Sequence, residues 1–140
     1  RGLGDVYKRQ IRESDELVTA IEIPALRPGE GTGYCRLSRR KAQDIGKILI
    51  GCRVRLDGER IAEVSLSLGA LNPTVVHAAE LEGLLVGKTP EEALALAAVT
   101  YPAEAKLRES YYKTYKQDAV CPAVVRALSM ALADAKGERA

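Results

Sequence analysis

The chain has few of the residues on which metal centres, nucleophilic catalysis and base stacking depend. Its 140 residues include one histidine, six tyrosines and no tryptophan or phenylalanine. One histidine is too few for a His-rich metal centre or a Cys/His catalytic pair. The scarcity of aromatic residues, together with a near balance of 21 basic and 19 acidic residues, argues against a nucleic-acid partner. We therefore expect neither a metal site nor a nucleic-acid interface.

Paired cysteines and long apolar runs are also missing. Cys35, Cys52 and Cys121 are odd in number and include no CxxC pair, so they predict buried free thiols rather than disulfides or a zinc site. No stretch approaches the roughly 18 to 20 apolar residues of a membrane span, and no window has the pattern of a secretory signal. These features predict a cytoplasmic protein without a membrane partner.

What remains is the composition of an ordinary globular domain. The chain is 46% hydrophobic and 29% charged, and its length suits one core. The first ten residues, RGLGDVYKRQ, fit no periodic pattern, and DVYKRQ (5–10) resembles the translated end of a sequencing adapter. We interpret 1–10 as an assembly scar and 11–140 as the domain.

Hydrophobic periodicity predicts strands in the first half of the chain and helices in the second. A run of β-branched and aliphatic residues ending before Pro24 indicates a strand at 16–23, and further strands are indicated at 34–40, 45–56 and 61–68, with a loop at 27–33 and a hairpin turn at 57–58. We expect the first two of these strands to pair. Helical patterns follow from Val76 to Gly87, from Thr89 to Val99 and over 121–132, with Pro122 near the start of the last helix or kinking it. This order predicts an α+β domain, a small antiparallel sheet of three to four strands with about three helices on one face.

Two motifs have an ordinary structural interpretation. The glycines of Gly29-x-Gly31-x-Gly33 suggest a phosphate cradle, but such a cradle needs a strand before it and a helix after it, whereas here a strand follows. We interpret the motif as a flexible hairpin or a loop beside a ligand. His77 has no Cys, Asp or Glu spaced to join it in a metal site, which favours a surface or helix-start residue.

Two basic clusters leave more than one interpretation open. Arg36, Arg39, Arg40 and Lys41 form either a solvated sheet edge or a site for an anion or a polarised ligand, with Asp44 able to hold one cation in place. A second cluster either stacks bases or packs its rings beneath solvated lysines, and its spacing before a helix favours packing. It consists of Tyr111, Tyr112 and Tyr115, interleaved with Lys113 and Lys116. No nucleophile–base pair or carboxylate pair accompanies either cluster.

Four segments, in this order and spacing, resemble a known family: ELVTAIEIP (16–24), YCRLSRRKAQDI (34–45), VRLDG (54–58) and LGALNPT (68–74). They are similar to the C-terminal domain of the FAD-binding subunit of molybdenum hydroxylases, the group of xanthine dehydrogenase and carbon monoxide dehydrogenase. The resemblance extends from about Asp15 to Ala133. It implies the same α+β fold.

The resemblance also implies a function and a site. Such a domain covers the flavin ring, while partner iron-sulfur and molybdopterin subunits supply electrons that pass through [2Fe-2S] clusters and FAD to NAD or another acceptor. By this resemblance Val18 and Arg36 touch the flavin, with Arg36 standing where the family has lysine. Weaker candidates are Tyr34, Arg39, Arg40 and Asp44. The glycine-rich segments that anchor FAD lie in N-terminal domains of the family and are missing here.

One alternative belongs to another class of protein. The chain could be a free-standing α+β interaction module that binds a protein partner through its helices and has no flavin role. An upstream reading frame with flavin-binding glycine motifs would distinguish the two.

Overall fold

Four strands and three helices make up the fold. A computed structural model describes residues 13, 15–40, 42, 44–107 and 109–138. The predicted α+β class is confirmed, whereas the scar assigned to 1–10 lies outside the described residues. The strands are β1 (Glu30–Leu37), β2 (Ile48–Asp57), β3 (Arg60–Gly69) and β4 (Val76–His77), and the helices are α1 (Ala79–Leu85), α2 (Pro90–Val99) and α3 (Lys113–Ala135).

The strands form an antiparallel meander in the spatial order β1-β2-β3-β4. Tyr34 of β1 lies opposite Gly51 of β2, and Gly51 lies opposite Ser67 of β3. Because side chains alternate along a strand, these residues share one side of the sheet, called here the outer face. Ile50 and Leu68 are fully buried on the other side, where the core lies. The sheet therefore has one face committed to the core and one face that retains polar and small residues.

The helices pack against the core side of the sheet and against each other. α3 crosses β1 and β2, α1 contacts β3, and α2 lies against α3 and α1. α2 begins with a capping box, in which the Thr89 hydroxyl accepts from the Glu92 amide and the Glu92 carboxylate accepts from the Thr89 amide. α3 starts at Lys113, earlier than the pattern over 121–132 indicates, and continues through Pro122. The core contains Ile48, Ile50, Val54, Leu66, Leu68, Leu81, Leu85, Val120, Val124 and Leu128.

The glycine-rich motif is part of a strand, so the loop predicted at 27–33 is wrong in its second half. Gly31 and Gly33 lie within β1 and face α3. A Cβ atom on Gly31 would overlap the backbone of Ala131 and Ala135, and one on Gly33 would overlap the Ala127 carbonyl. These glycines allow the helix backbone to approach the strand, and this approach explains why they are there. The space that a phosphate would need is filled by α3.

The strand predicted at 16–23 is also wrong. Residues 16–27 form neither a strand nor a helix and run exposed, with Leu17 84%, Ile21 79% and Ile23 86% accessible to solvent. The expected pairing of this segment with the next strand is wrong as well, because β1 pairs with β2 instead. Periodicity identifies the residues that favour a strand, but it cannot supply a neighbouring strand to complete the hydrogen bonds.

Candidate functional site

Asp44 organises the loop that joins β1 to β2. Its Oδ2 accepts hydrogen bonds from the backbone amides of Arg39 at 2.8 Å and Arg40 at 3.1 Å, and its Oδ1 accepts from the amide of Ile45 at 2.9 Å. Desolvation opposes ionisation of the carboxyl, but the three amide donors outweigh it, so the pKa of Asp44 lies below its usual range. An ionised carboxylate therefore holds the backbone at Arg39, Arg40 and Ile45 together.

Arg36 projects from β1 beside this loop. Its Nη2 atom donates to the backbone carbonyl of Asp44, so the guanidinium is held by the loop while its side chain stays exposed. Arg36 and Tyr34 both lie on the outer face of the sheet, and Tyr34 is 53% exposed. This end of the sheet presents a positioned cation next to an aromatic ring, an arrangement suited to a planar, anionic or polarised ligand.

The structure brings most of the predicted site residues together. Arg36, Arg39, Arg40 and Asp44 share the end of β1 and the loop after it. Val18 lies instead in the exposed segment at 16–27, outside the sheet, and is 48% exposed. Its predicted contact with a flavin stays a prediction.

The chain's own residues fit one part of FAD and not another. Arg36 is exposed on the outer face, and a planar guanidinium is the kind of donor that suits a polarised ring. The glycines that could approach a pyrophosphate, Gly31 and Gly33, are covered by α3. The donor set therefore fits the ring end of the cofactor alone.

His77 lies in a cluster that superficially resembles a catalytic triad. Its Nδ1 atom is 3.4 Å from Ser65 Oγ and 3.3 Å from Glu82 Oε1. A relay needs the two partners on different ring nitrogens, whereas here both face the same one. Glu82 also accepts the backbone amide of Leu66 at 2.6 Å, so its carboxylate links α1 to β3. The cluster is structural, in agreement with the sequence interpretation of His77.

Two groups escaped the sequence reasoning. The Lys47 ammonium lies 4.4 Å from the centre of the Tyr112 ring, and together with Ser38, Arg39 and Tyr115 this pair lines a cleft of about 330 Å³. We call it the Lys47 cleft. The second group is a buried carboxylate, Glu30, held by arginines. In the sequence, the Lys47 cleft is indicated only by the alternation of tyrosine and lysine near the start of α3.

Cysteine and metal chemistry add little to the site. Cys35 and Cys52 are buried and Cys121 is half-buried, all as free thiols. Burial raises the pKa of Cys52 to about 12, which keeps it an unreactive thiol. Within the described part of the chain, no three His, Cys, Asp or Glu residues are grouped to hold a metal ion, and no helix there is long and apolar enough to cross a bilayer.

Comparison with known proteins places this geometry in a family. A model of the CO dehydrogenase flavoprotein C-terminal domain matches residues 33–131. The chain is also 30% identical over 90 residues to xanthine dehydrogenase/oxidase of Gallus gallus, a match that covers 63% of this chain and 7% of that protein. The range matched by the family model includes β1 from residue 33 onward, the Asp44 loop and α3 up to residue 131, and it leaves out Val18.

Solved structures share the fold. CO dehydrogenase from Hydrogenophaga pseudoflava, in a form that lacks the Mo-pyranopterin moiety of the molybdenum cofactor, is 25% identical with a TM-score of 0.66, over 80% of this chain and 40% of that one. Reconstituted CO dehydrogenase from Oligotropha carboxidovorans is 24% identical with a TM-score of 0.64, over the same shares of the two chains. Quinoline 2-oxidoreductase from Pseudomonas putida 86 is 20% identical with a TM-score of 0.57, over 79% and 39% of the two chains.

Proposed function

Because the chain belongs to the family of CO dehydrogenase flavoprotein C-terminal domains, we propose that it is the part of an FAD-binding subunit that covers the flavin ring in a molybdenum hydroxylase. It spans two fifths of the solved chains that it resembles and 7% of its curated relative, so the remaining contacts of the cofactor belong to other parts of the subunit. The pyrophosphate and adenine would be anchored by flavin-binding domains N-terminal to it.

The observation that carries this proposal is the fixed position of Arg36. The side chain is tied to the Asp44 carbonyl and faces the exposed outer face, in the region that the family model matches. A preorganised cation acts more strongly on charge in a partly desolvated site than in water, because little solvent remains to screen it. Arg36 would therefore favour the electron-rich state of a ring placed against it.

The rest of the assembly follows from the family. A bound FAD would supply redox chemistry between the [2Fe-2S] clusters of the iron-sulfur and molybdopterin partner subunits and NAD or another acceptor. The residues of this chain contribute position and charge: Arg36 beside the ring, Tyr34 next to it, and Arg39, Arg40 and Asp44 along the approach of the acceptor. Val18 would reach the ring from the segment before β1. The complex would work in the cytoplasm.

The test is substitution of Arg36 in the full-length subunit assembled with its partners. Arg36→Ala should lower the reduction potential of the flavin and slow electron transfer to the acceptor, while reduction of the metal centres by substrate stays unchanged. Arg36→Lys should retain activity because it restores the residue of the family. Potentiometric titration and stopped-flow spectra measure the potential and the separate transfer steps.

A matched control is available at the opposite end of the sheet. Arg60 is also exposed and also donates to a backbone carbonyl, that of Gly87. Arg60→Ala should leave the flavin potential unchanged. If Arg36→Ala behaves like Arg60→Ala in both potential and acceptor turnover, Arg36 is a solvated edge residue and the proposed role is wrong.

A further inference from the structure

The Lys47 cleft lies where the start of β2 meets the start of α3. Ser38 and Arg39 contribute from the loop after β1, Lys47 from the residue before β2, and Tyr112 and Tyr115 from the beginning of the last helix. The Lys47 amide donates to the Leu37 carbonyl at 2.7 Å, which fixes the backbone that carries the ammonium. Three separate parts of the chain thus converge on one concave surface.

The side-chain cations of this surface are not neutralised by an ion pair within the described part of the chain. Among the residues that the structure describes, no carboxylate forms an ion pair with Arg39 or Lys47; the ion pairs lie elsewhere on the domain. A third cation, Lys116, lies close by and donates to the Ala70 carbonyl at 2.5 Å. Burial, and to a smaller extent the neighbouring Lys47, lowers the pKa of Lys116. An anion bound here would relieve the repulsion among these charges.

The aromatic side chains fix the shape of the cleft. Tyr112 is half-buried and is packed edge-on by Tyr111, with ring centres 5.2 Å apart and an angle of 88° between the planes. Lys47 sits over the Tyr112 ring, a contact that orients the ammonium and remains compatible with hydrogen bonds from its other donors. Tyr115 is 46% exposed, so its ring surface is open to a ligand.

We propose that the Lys47 cleft binds a small phosphorylated aromatic ligand of the nucleoside diphosphate class. Arg39 and Lys47 hold the phosphates, since a guanidinium offers a fork of donors and an ammonium a compact charge. The Tyr115 ring packs against the base, because stacking on an aromatic face tolerates any base. The volume of about 330 Å³ falls in the range of small-ligand sites and suits one nucleotide.

This site shares Arg39 with the proposed approach of the acceptor but uses neither Arg36 nor Val18. Its test needs neither FAD nor the partner subunits. Failure of the Arg36 experiment would leave the cleft untouched, and failure to bind a nucleotide here would leave the flavin role untouched.

The test is to titrate the 140-residue chain with ADP, adenosine and inorganic pyrophosphate. Binding is measured by calorimetry and by changes in amide chemical shifts. ADP should bind most tightly, pyrophosphate at least tenfold more weakly and adenosine more weakly still. Lys47→Gln and Arg39→Gln should each weaken ADP binding about tenfold or more. Lys47→Arg should restore most of the affinity. Tyr115→Leu should weaken the binding of ADP but not that of pyrophosphate.

The control removes one positive charge from the same helix turn. Lys113 is engaged by the carboxylate of Glu109, so Lys113→Gln should leave ADP affinity within twofold of the parent. Thermal unfolding of each variant verifies that it is folded. The proposal is overturned if ADP shows no saturable binding, if pyrophosphate binds as tightly as ADP, or if Lys113→Gln weakens binding as much as Lys47→Gln does.

Discussion

Glu30 is a carboxylate that the fold buries, with its side chain 3% exposed. Its Oε1 atom accepts from Arg27 Nε at 2.8 Å and from Arg53 Nη1 at 3.2 Å, and its Oε2 accepts the Arg27 backbone amide at 2.8 Å. The hydrogen bond from the Arg27 side chain is the main reason that the pKa of Glu30 lies below its ordinary value of 4.5. The ionised form is thus preferred in the folded state.

The domain should lose stability in acid partly through this residue. Since the pKa of Glu30 is lower in the folded than in the unfolded state, its contribution is complete above about pH 4.5 and is lost as the pH falls toward the folded pKa. We expect the melting temperature to fall between pH 5 and pH 3. Glu30→Gln should melt lower at pH 7 and show a shallower acid decline.

Melting curves from pH 7 to pH 3 measure this effect. Glu59→Gln is the control, because Glu59 is exposed in the turn between β2 and β3. Its acid decline should match the parent. If the melting temperature of Glu30→Gln falls with pH as steeply as that of the parent, the proposed contribution of Glu30 to acid sensitivity is wrong. Part of the fall remains in either case, because the pKa values of Glu63 and Asp44 are also lowered.

Individual residues differ in how far the sequence reveals them. The proximity of Arg36 and Asp44 was predictable because the end of β1 and the loop after it are one short stretch that the sequence shows as a cluster of charges. Lys47 was not, because its partner Tyr112 lies far along the chain and only the docking of α3 brings the two together. A sequence pattern reports on local neighbours, whereas a cation–π contact across elements depends on the tertiary fold.

At the scale of elements, the close contact between β1 and α3, called here the seam, depends on small residues on both sides. Gly31 and Gly33 of the strand face Ala127, Ala131 and Ala135 of the helix. Glycine in a sequence usually indicates a turn, so the motif pointed to a loop. The start of α3 was missed for a related reason, because the apolar period becomes regular only after its first turns. The β2–β3 hairpin and the first two helices were predictable because their signals are local, whereas β4 lies where a helical pattern was expected from Val76.

A methyl group in this seam should destabilise the domain. Gly33→Ala should lower the free energy of unfolding by about 3 kcal/mol, because the new Cβ overlaps the Ala127 backbone and the helix must move. Gly83→Ala in α1 is the control, since nothing lies near the position its Cβ would take. That substitution should stabilise the domain by up to about 1 kcal/mol. Urea unfolding, monitored by circular dichroism, measures the free energy of unfolding of both variants. Equal free energies for the two variants would contradict the close packing of β1 on α3.

At the scale of the whole molecule, the segment at 16–27 before β1 belongs to no strand or helix. Leu17, Val18, Ile21 and Ile23 remain exposed in a stretch whose composition favours a strand. The family model begins at residue 33, beyond this segment. We propose that the segment completes a sheet in the flavin-binding part that precedes this domain. On this proposal, the strand-favouring composition of 16–23 is explained by a partner strand in that part rather than in the described chain.

Substitution in this segment should act only in the longer protein. Ile21→Thr combined with Ile23→Thr should change the stability of the 140-residue chain by less than about 0.5 kcal/mol, because both side chains are exposed. In the full-length subunit the same pair should cost about 2 kcal/mol or more through lost burial. Val99→Thr, at an exposed position that ends α2, should be neutral in both. A neutral result for the pair in the full-length subunit would contradict the proposal.

The packing of α3 on β1 also determines when the domain can be completed during synthesis. β2 and β3 are joined by a tight turn, and β1 is joined to β2 by the Asp44 loop, so the three strands can pair as soon as they leave the ribosome. The core side of β1, however, is closed by α3, which is made last among the elements. Until α3 emerges, the nascent meander exposes an uncovered apolar side, so a ribosome that pauses before Lys113 would hold a chain prone to chaperone capture and aggregation.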